Sequence, residues 1–111
     1  MNRKIIFRGW NIKYKCWDYV NNTMEDCALI DQNSVGQYTG LTDKNGVKIF
    51  EGDVVIIGEK LKAKVIYYDG AFRMQSEFSP TPIDTTDMGY MMREFSVRVI
   101  GNIHDNPELI E

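Results

Sequence analysis

Between Lys60 and Met74 the chain reads KLKAKVIYYDGAFRM, two alternating runs hinged on Asp69-Gly70. Ala63, Val65 and Tyr67 fall on one face and Lys62, Lys64 and Ile66 on the other. A period of two belongs to strands, and Asp-Gly accepts the positive φ angles of a two-residue hairpin turn. The lysines mark an outer face and guard a strand edge. The same punctuation recurs upstream. Asn45-Gly46 predicts a tight turn with positive φ at both centres, followed by the strand VKIF. Glu51, Gly52 and Asp53 then turn the chain into VVII. Four β-branched residues in a row favour a buried strand, because each loses χ1 freedom in a helix.

Near the start, KIIFRGW places Ile6, Arg8 and Trp10 on one face and Ile5 and Phe7 on the other. NIKYKCWDYV sets Ile12, Tyr14 and Cys16 against Lys13, Lys15 and Trp17, and a hairpin is expected near Gly9 to Lys13. NNTMED reads as a turn and CALIDQ as a short strand. From Glu77 to Met92 the pattern breaks, since Pro80 and Pro82 forbid a central strand. The expectation there is a loop with a short helix running toward Arg93. FSVRVIGNI returns to strand, with Val97, Val99 and Ile103 on one face and a bulge or bend at Gly101. Asn106 and Pro107 suit the start of a brief terminal turn.

The sum is six to eight short antiparallel strands with little helix. With 111 residues the chain is one domain, long enough to bury a core without staples. Strands this short must pair off their edges, which predicts a small sandwich or a partly open barrel.

The glycine-rich stretch QYTGLTDKNGVKIFEGDVV invites two other readings. A phosphate loop needs four residues between its glycines and then Gly-Lys-Ser/Thr, whereas five residues separate Gly40 from Gly46 and Val47 follows. A calcium loop with Gly46 at its sixth position puts Leu41 at the first and Gly52 at the twelfth, where oxygen ligands are required. Both readings fail, and the turn reading stands.

The net charge of -3 lacks the basic excess of a phosphate binder. It hides an asymmetry. Residues 1 to 17 carry five cations and no acid, while residues 77 to 111 carry seven acids and two arginines. The two ends are suited to attract each other, within or between molecules. The two cysteines, Cys16 and Cys27, form no CxxC pair, and His104 is the sole histidine, so no zinc site is expected. Cys16 reads as a small half-buried hydrophobe rather than an activated thiol. No secretory leader or membrane span is evident, which places the protein in the cytoplasm with reduced thiols.

Catalytic constellations are sparse. His104 and Asp105 point to opposite sides of an extended chain, and His104 reads as an exposed tail residue. Glu51 and Asp53, with Asp43, offer carboxylates for a cation or for acid-base work, though such pairs more often accept backbone N–H bonds in turns. No catalytic residue, metal or cofactor is assigned. The candidate contact residues are Arg8, Trp10, Lys13, Lys15 and Trp17. Rings and cations interleaved on strands are the means by which open barrels stack bases and grip phosphates. The competing reading places Phe7, Trp10, Tyr14, Trp17 and Tyr19 in the core under cationic stems.

FRGW near the start, then QYTGLTDKNGVKIFEGDVV, YYDGAF and VIGNIHDNPELIE, in that order, resemble the YopX family of bacteriophage and prophage proteins over nearly the whole chain. Asn11 stands where the family usually has aspartate, and His104-Asp105 where an aromatic and an acid are usual. The resemblance implies a mainly β protein: short antiparallel strands forming a small SH3-like barrel over 37–111, with an N-terminal β-hairpin extension over 1–36 and little helix. It also implies a phage or prophage origin and self-association, with no established activity to carry over. The expected function is a non-enzymatic accessory role in the bacterial cytoplasm through contacts with a phage or host protein or as a homo-oligomer. The alternatives are a single-stranded nucleic-acid binder using the basic aromatic strands, and an enzyme or metal protein using Asp43, Glu51 and Asp53.

Overall fold

The structure, a computed structural model, describes residues 5–21, 29–76, 86–106 and 108. The turn expected over NNTMED, the cysteine Cys27, the prolines Pro80 and Pro82, and Pro107 lie outside the described residues, apart from Asn21. The molecule is mainly β, with every strand pair antiparallel. Among the described residues the strands form two sheets, accompanied by one helix.

The first sheet has the order β2-β1-β3-β4. Strand β1 (Ile6–Asn11) and β2 (Cys16–Asn21) form the N-terminal hairpin, with Trp10 opposite Trp17 and Arg8 opposite Tyr19. The turn falls later than the alternation predicts, at residues 12–15, and β2 begins at Cys16 rather than at Ile12. Asn11 sets this turn. Its Oδ1 accepts the N–H groups of Lys13 (3.0 Å) and Tyr14 (2.9 Å), its carbonyl accepts that of Lys15, and Lys15 takes a φ of 56°. An asparagine that caps its own turn overrides two residues of strand alternation. Cys16, at the head of an edge strand, is exposed rather than half-buried.

Strand β3 (Ile30–Thr42) runs unbroken across the expected division at residue 36. Against β1 it bulges: Arg8 pairs with Gly36, but Trp10 pairs with Asp31, so residues 32–35 swing out. Ser34 holds the bulge, its Oγ donating to the Asp31 carbonyl (2.6 Å) and accepting the Trp10 N–H (2.7 Å). Gly36 is required by space, since a Cβ there would overlap the Glu51 carbonyl oxygen. Strand β4 (Lys48–Phe50) returns along β3. Between them only Gly46 takes positive φ, at 81°, and Asn45 does not. Asp43 is the reason. Its Oδ1 accepts the N–H groups of Asn45 (2.8 Å) and Val47 (2.9 Å), converting the expected two-residue turn into a longer loop that needs one left-handed glycine.

The second sheet has the order β8-β7-β6-β5-β9. Strands β5 (Asp53–Ile57), β6 (Leu61–Tyr68) and β7 (Ala71–Ser76) form a meander. The β6–β7 turn is the one predicted, with Asp69 at φ 52° and Gly70 at 78°. Strand β8 (Thr86–Asp87) leads into helix α1 (Met88–Glu94), which buries Met88. Strand β9 (Val97–Asn102) closes on β5 with a register shift next to Gly101, as its glycine suggests. The shift breaks the alternation: Val97 is buried, whereas Ile103 is exposed instead of sharing its face.

The main core cluster is aliphatic. Ile49 of β4, Val55, Ile57, Ala63, Val65, Met74 and Val97 of the second sheet, and Met88 of α1 form one cluster. The N-terminal aromatics lie outside it, and Tyr14 and Tyr19 are exposed rather than core. Among the described residues no helix is long and apolar enough to cross a membrane.

Candidate binding groove at the junction of the sheets

Strand alternation on β1 and the register of its hairpin put Arg8, Trp10 and Trp17 on one face. Trp10 and Trp17 meet edge to face at 5.4 Å between ring centroids, and the Arg8 guanidinium lies 4.5 Å from the Trp17 ring. A third ring from β4, Phe50, sits 4.8 Å from the same guanidinium. Arg8 is 7% exposed, and its Nη2 donates to Asp53 Oδ1 at 2.6 Å. Asp53 is 2% exposed and opens β5, so this ion pair ties the first sheet to the second. The Phe50 N–H completes the site by donating to Asp53 Oδ2 at 2.7 Å. Burial pushes the Asp53 carboxyl above the ordinary aspartate range, and the Arg8 charge and the Phe50 N–H pull it back without cancelling the effect. Desolvation outweighs attraction in such a pair, which fixes geometry more than it adds stability. The Nε of Arg8 is buried with no hydrogen-bond partner among the described residues.

Above the ion pair opens a groove of about 580 Å³. Ile6, Tyr19, Val47, Phe50 and Val99 give it apolar walls, and Lys48 lies on its rim. It runs between β4 and β9, the edge strands of the two sheets. Tyr19 and Val47 are exposed at 57% and 48%.

At the other end of the tryptophan pair the C-terminal turn docks. Asn102 Oδ1 accepts the N–H groups of His104 (3.1 Å) and Asp105 (2.8 Å), and its Nδ2 donates to Asp105 Oδ2 (3.1 Å). Trp17 Nε1 reaches the same carboxylate oxygen at 3.3 Å. The His104 ring lies 5.3 Å from Trp10 and 5.6 Å from Trp17. His104 is exposed, as expected of a tail residue, but it packs against the tryptophans rather than standing alone.

Of the five candidate contact residues, the fold brings together Arg8, Trp10 and Trp17. Lys13 and Lys15 stay on the exposed hairpin turn, with Lys13 Nζ 5.2 Å from the Tyr14 ring. Among the described residues, Arg8 of the basic N-terminal segment pairs with Asp53 of β5. Sequence reading missed Asp53 as the partner of Arg8, and Phe50 and Tyr19 as groove walls. A charged residue at the head of a β-branched run was the available signal, since an acid so placed is drawn into the core with its strand.

Two of the carboxylates considered for a cation, Asp43 and Asp53, are engaged otherwise. Asp43 uses Oδ1 on its own loop and Oδ2 on the Val99 N–H (2.9 Å). Burial raises its carboxyl, but the Val99, Val47 and Asn45 N–H donors and the Arg98 charge overcome this and hold it below the ordinary value. Among the described residues no group of three or more His, Cys, Asp or Glu is placed to hold a metal.

A family model described as YopX protein matches residues 8–111. Among solved structures, the crystal structure of protein EF1440 from Enterococcus faecalis is similar over 99% of this chain and 100% of that one, at 26% identity and a TM-score of 0.60. A search of curated proteins finds no match.

Proposed function

The chain belongs to the YopX family, and we propose that it is a non-enzymatic accessory protein of a phage or prophage, acting in the bacterial cytoplasm through contacts with other proteins or with its own copies. In this reading residues 37–111 work as an SH3-like barrel, and the N-terminal hairpin supplies one wall of the contact surface. The observation that carries it is the groove between β4 and β9, whose apolar walls stand open around a buried ion pair. Open apolar surface rimmed by polar groups is the usual mark of a contact site. Support against catalysis comes from the carboxylates, since Asp43 and Asp53 accept hydrogen bonds from the fold itself.

Nucleic-acid binding has less behind it. Arg8 turns inward to Asp53, and Lys13 and Lys15 lie on the exposed hairpin turn, with Lys13 Nζ 5.2 Å from the Tyr14 ring.

The test is affinity purification from an induced host with the wild-type chain and with Val47→Asp, which places a charge on an exposed wall of the groove. A partner, or a second copy seen by light scattering, that is retained by the wild type and lost by the variant is the expected result. Capture indifferent to Val47→Asp, or salt-dependent oligonucleotide binding abolished by Lys13→Ala plus Lys15→Ala, overturns the reading.

A further inference from the structure

We propose that the groove takes an extended peptide segment of a partner protein in which an apolar side chain stands next to a carboxylate. This rests on the protein-contact reading above and names the chemistry of what fills the groove.

The ground is which of the groove's polar side chains are already engaged. Asp53 has both oxygens occupied, Oδ1 by Arg8 and Oδ2 by the Phe50 N–H. Asn102 is likewise occupied at both ends of its amide. The cations differ. Arg8 carries several N–H donors, yet among the described residues it donates one hydrogen bond, and its buried Nε has no partner. Lys48 is exposed and makes no ion pair among the described residues, its Nζ lying 6.0 Å from the Tyr38 ring. With Asp53 and Arg8 buried against each other, the charge that the groove presents to an incoming chain is the exposed cation of Lys48, although the whole chain carries a net charge of -3.

An incoming carboxylate pairs with the exposed Lys48 ammonium through a charge-assisted hydrogen bond. Ile6, Val47, Val99 and the rings of Tyr19 and Phe50 leave an apolar side chain as the other half of the match. A slot between two sheet-edge strands suits an extended chain better than a helix.

The test selects a random peptide display library against the full chain. An enriched peptide is then synthesised and titrated against the wild type, Lys48→Glu and the double variant Lys13→Glu plus Lys15→Glu. The expected result is enrichment of Asp or Glu next to an aliphatic or aromatic residue. Affinity should fall about tenfold or more with Lys48→Glu, and by a similar factor when the peptide's acid becomes its amide. The turn lysines should not matter. Enrichment of uncharged or basic peptides, enrichment of nothing, or indifference to Lys48→Glu overturns the inference. If partner capture is lost with Val47→Asp while the enriched peptides carry no acid, the contact reading stands and this inference alone fails. If Val47→Asp leaves capture intact, the contact reading itself has failed.

Discussion

Arg8 and Asp53 show why a buried ion pair has to be judged by its desolvation. Removing one partner leaves the other charge buried and uncompensated, at a cost of about 3–5 kcal/mol. Arg8→Ala and Asp53→Ala should each show such a loss in urea denaturation, and Arg8→Met combined with Asp53→Leu should recover most of it. A double variant no more stable than the singles contradicts this account. Gly36 is limited by space instead: Gly36→Ala drives a methyl into the Glu51 carbonyl, and a cost of about 1–3 kcal/mol is expected by the same measurement. Asp43 and Asp53 respond to pH with opposite signs. The folded carboxyl of Asp43 titrates below its unfolded value, so its contribution is present above about pH 4 and lost as pH falls through the folded value. That of Asp53 titrates above its unfolded value, so its contribution is present at low pH and lost as pH rises. Asp43→Asn should therefore flatten the acid limb of a stability profile below about pH 4, and an unchanged limb counts against the three N–H bonds as its cause.

Among the elements, the β6–β7 hairpin was fully legible, because both residues of its turn are of the type that the turn geometry demands. Gly70→Ala should cost about 1 kcal/mol by forcing a side chain into φ 78°, and thermal unfolding of that variant beside Asp69→Asn, which should be nearly neutral, checks it. The β3–β4 loop was legible only in part. Asn45-Gly46 announced a turn, but its length is set by Asp43, whose side chain bonds to residues two and four positions on. The first hairpin slid for the same reason, with Asn11 as the capping residue. The bulge at residues 32–35 carries no Gly or Pro and is held by Ser34 and by Asp31, whose Oδ1 accepts the Asn33 N–H, so nothing in local alternation foretold it. Period-two reading finds strands well and locates their ends poorly where an Asx side chain competes with the ladder.

For the whole molecule, class and the aliphatic part of the core were readable from alternation and β-branched runs, whereas the N-terminal rings expected in the core lie outside it, and three of five candidate contact residues do converge. The groove was not readable, because its walls come from β1, β2, β4, β5 and β9, and only the register of two sheets brings them together. The same register argues against treating the hairpin as an appendage. A fragment starting at residue 37 would cut β3 within its span and leave Asp53 without its arginine. It should show far weaker chemical-shift dispersion than the full chain, and a well-dispersed spectrum from that fragment would contradict the coupling.

The 45-residue separation of Arg8 from Asp53 has a consequence during synthesis. A ribosome that has made the first hairpin has not yet made its counterion, so the guanidinium stays hydrated while β3 and β4 emerge. Only when the opening residue of β5 leaves the exit tunnel does the arginine gain a reason to shed water, and the first sheet is then sealed from the far side by a strand translated much later.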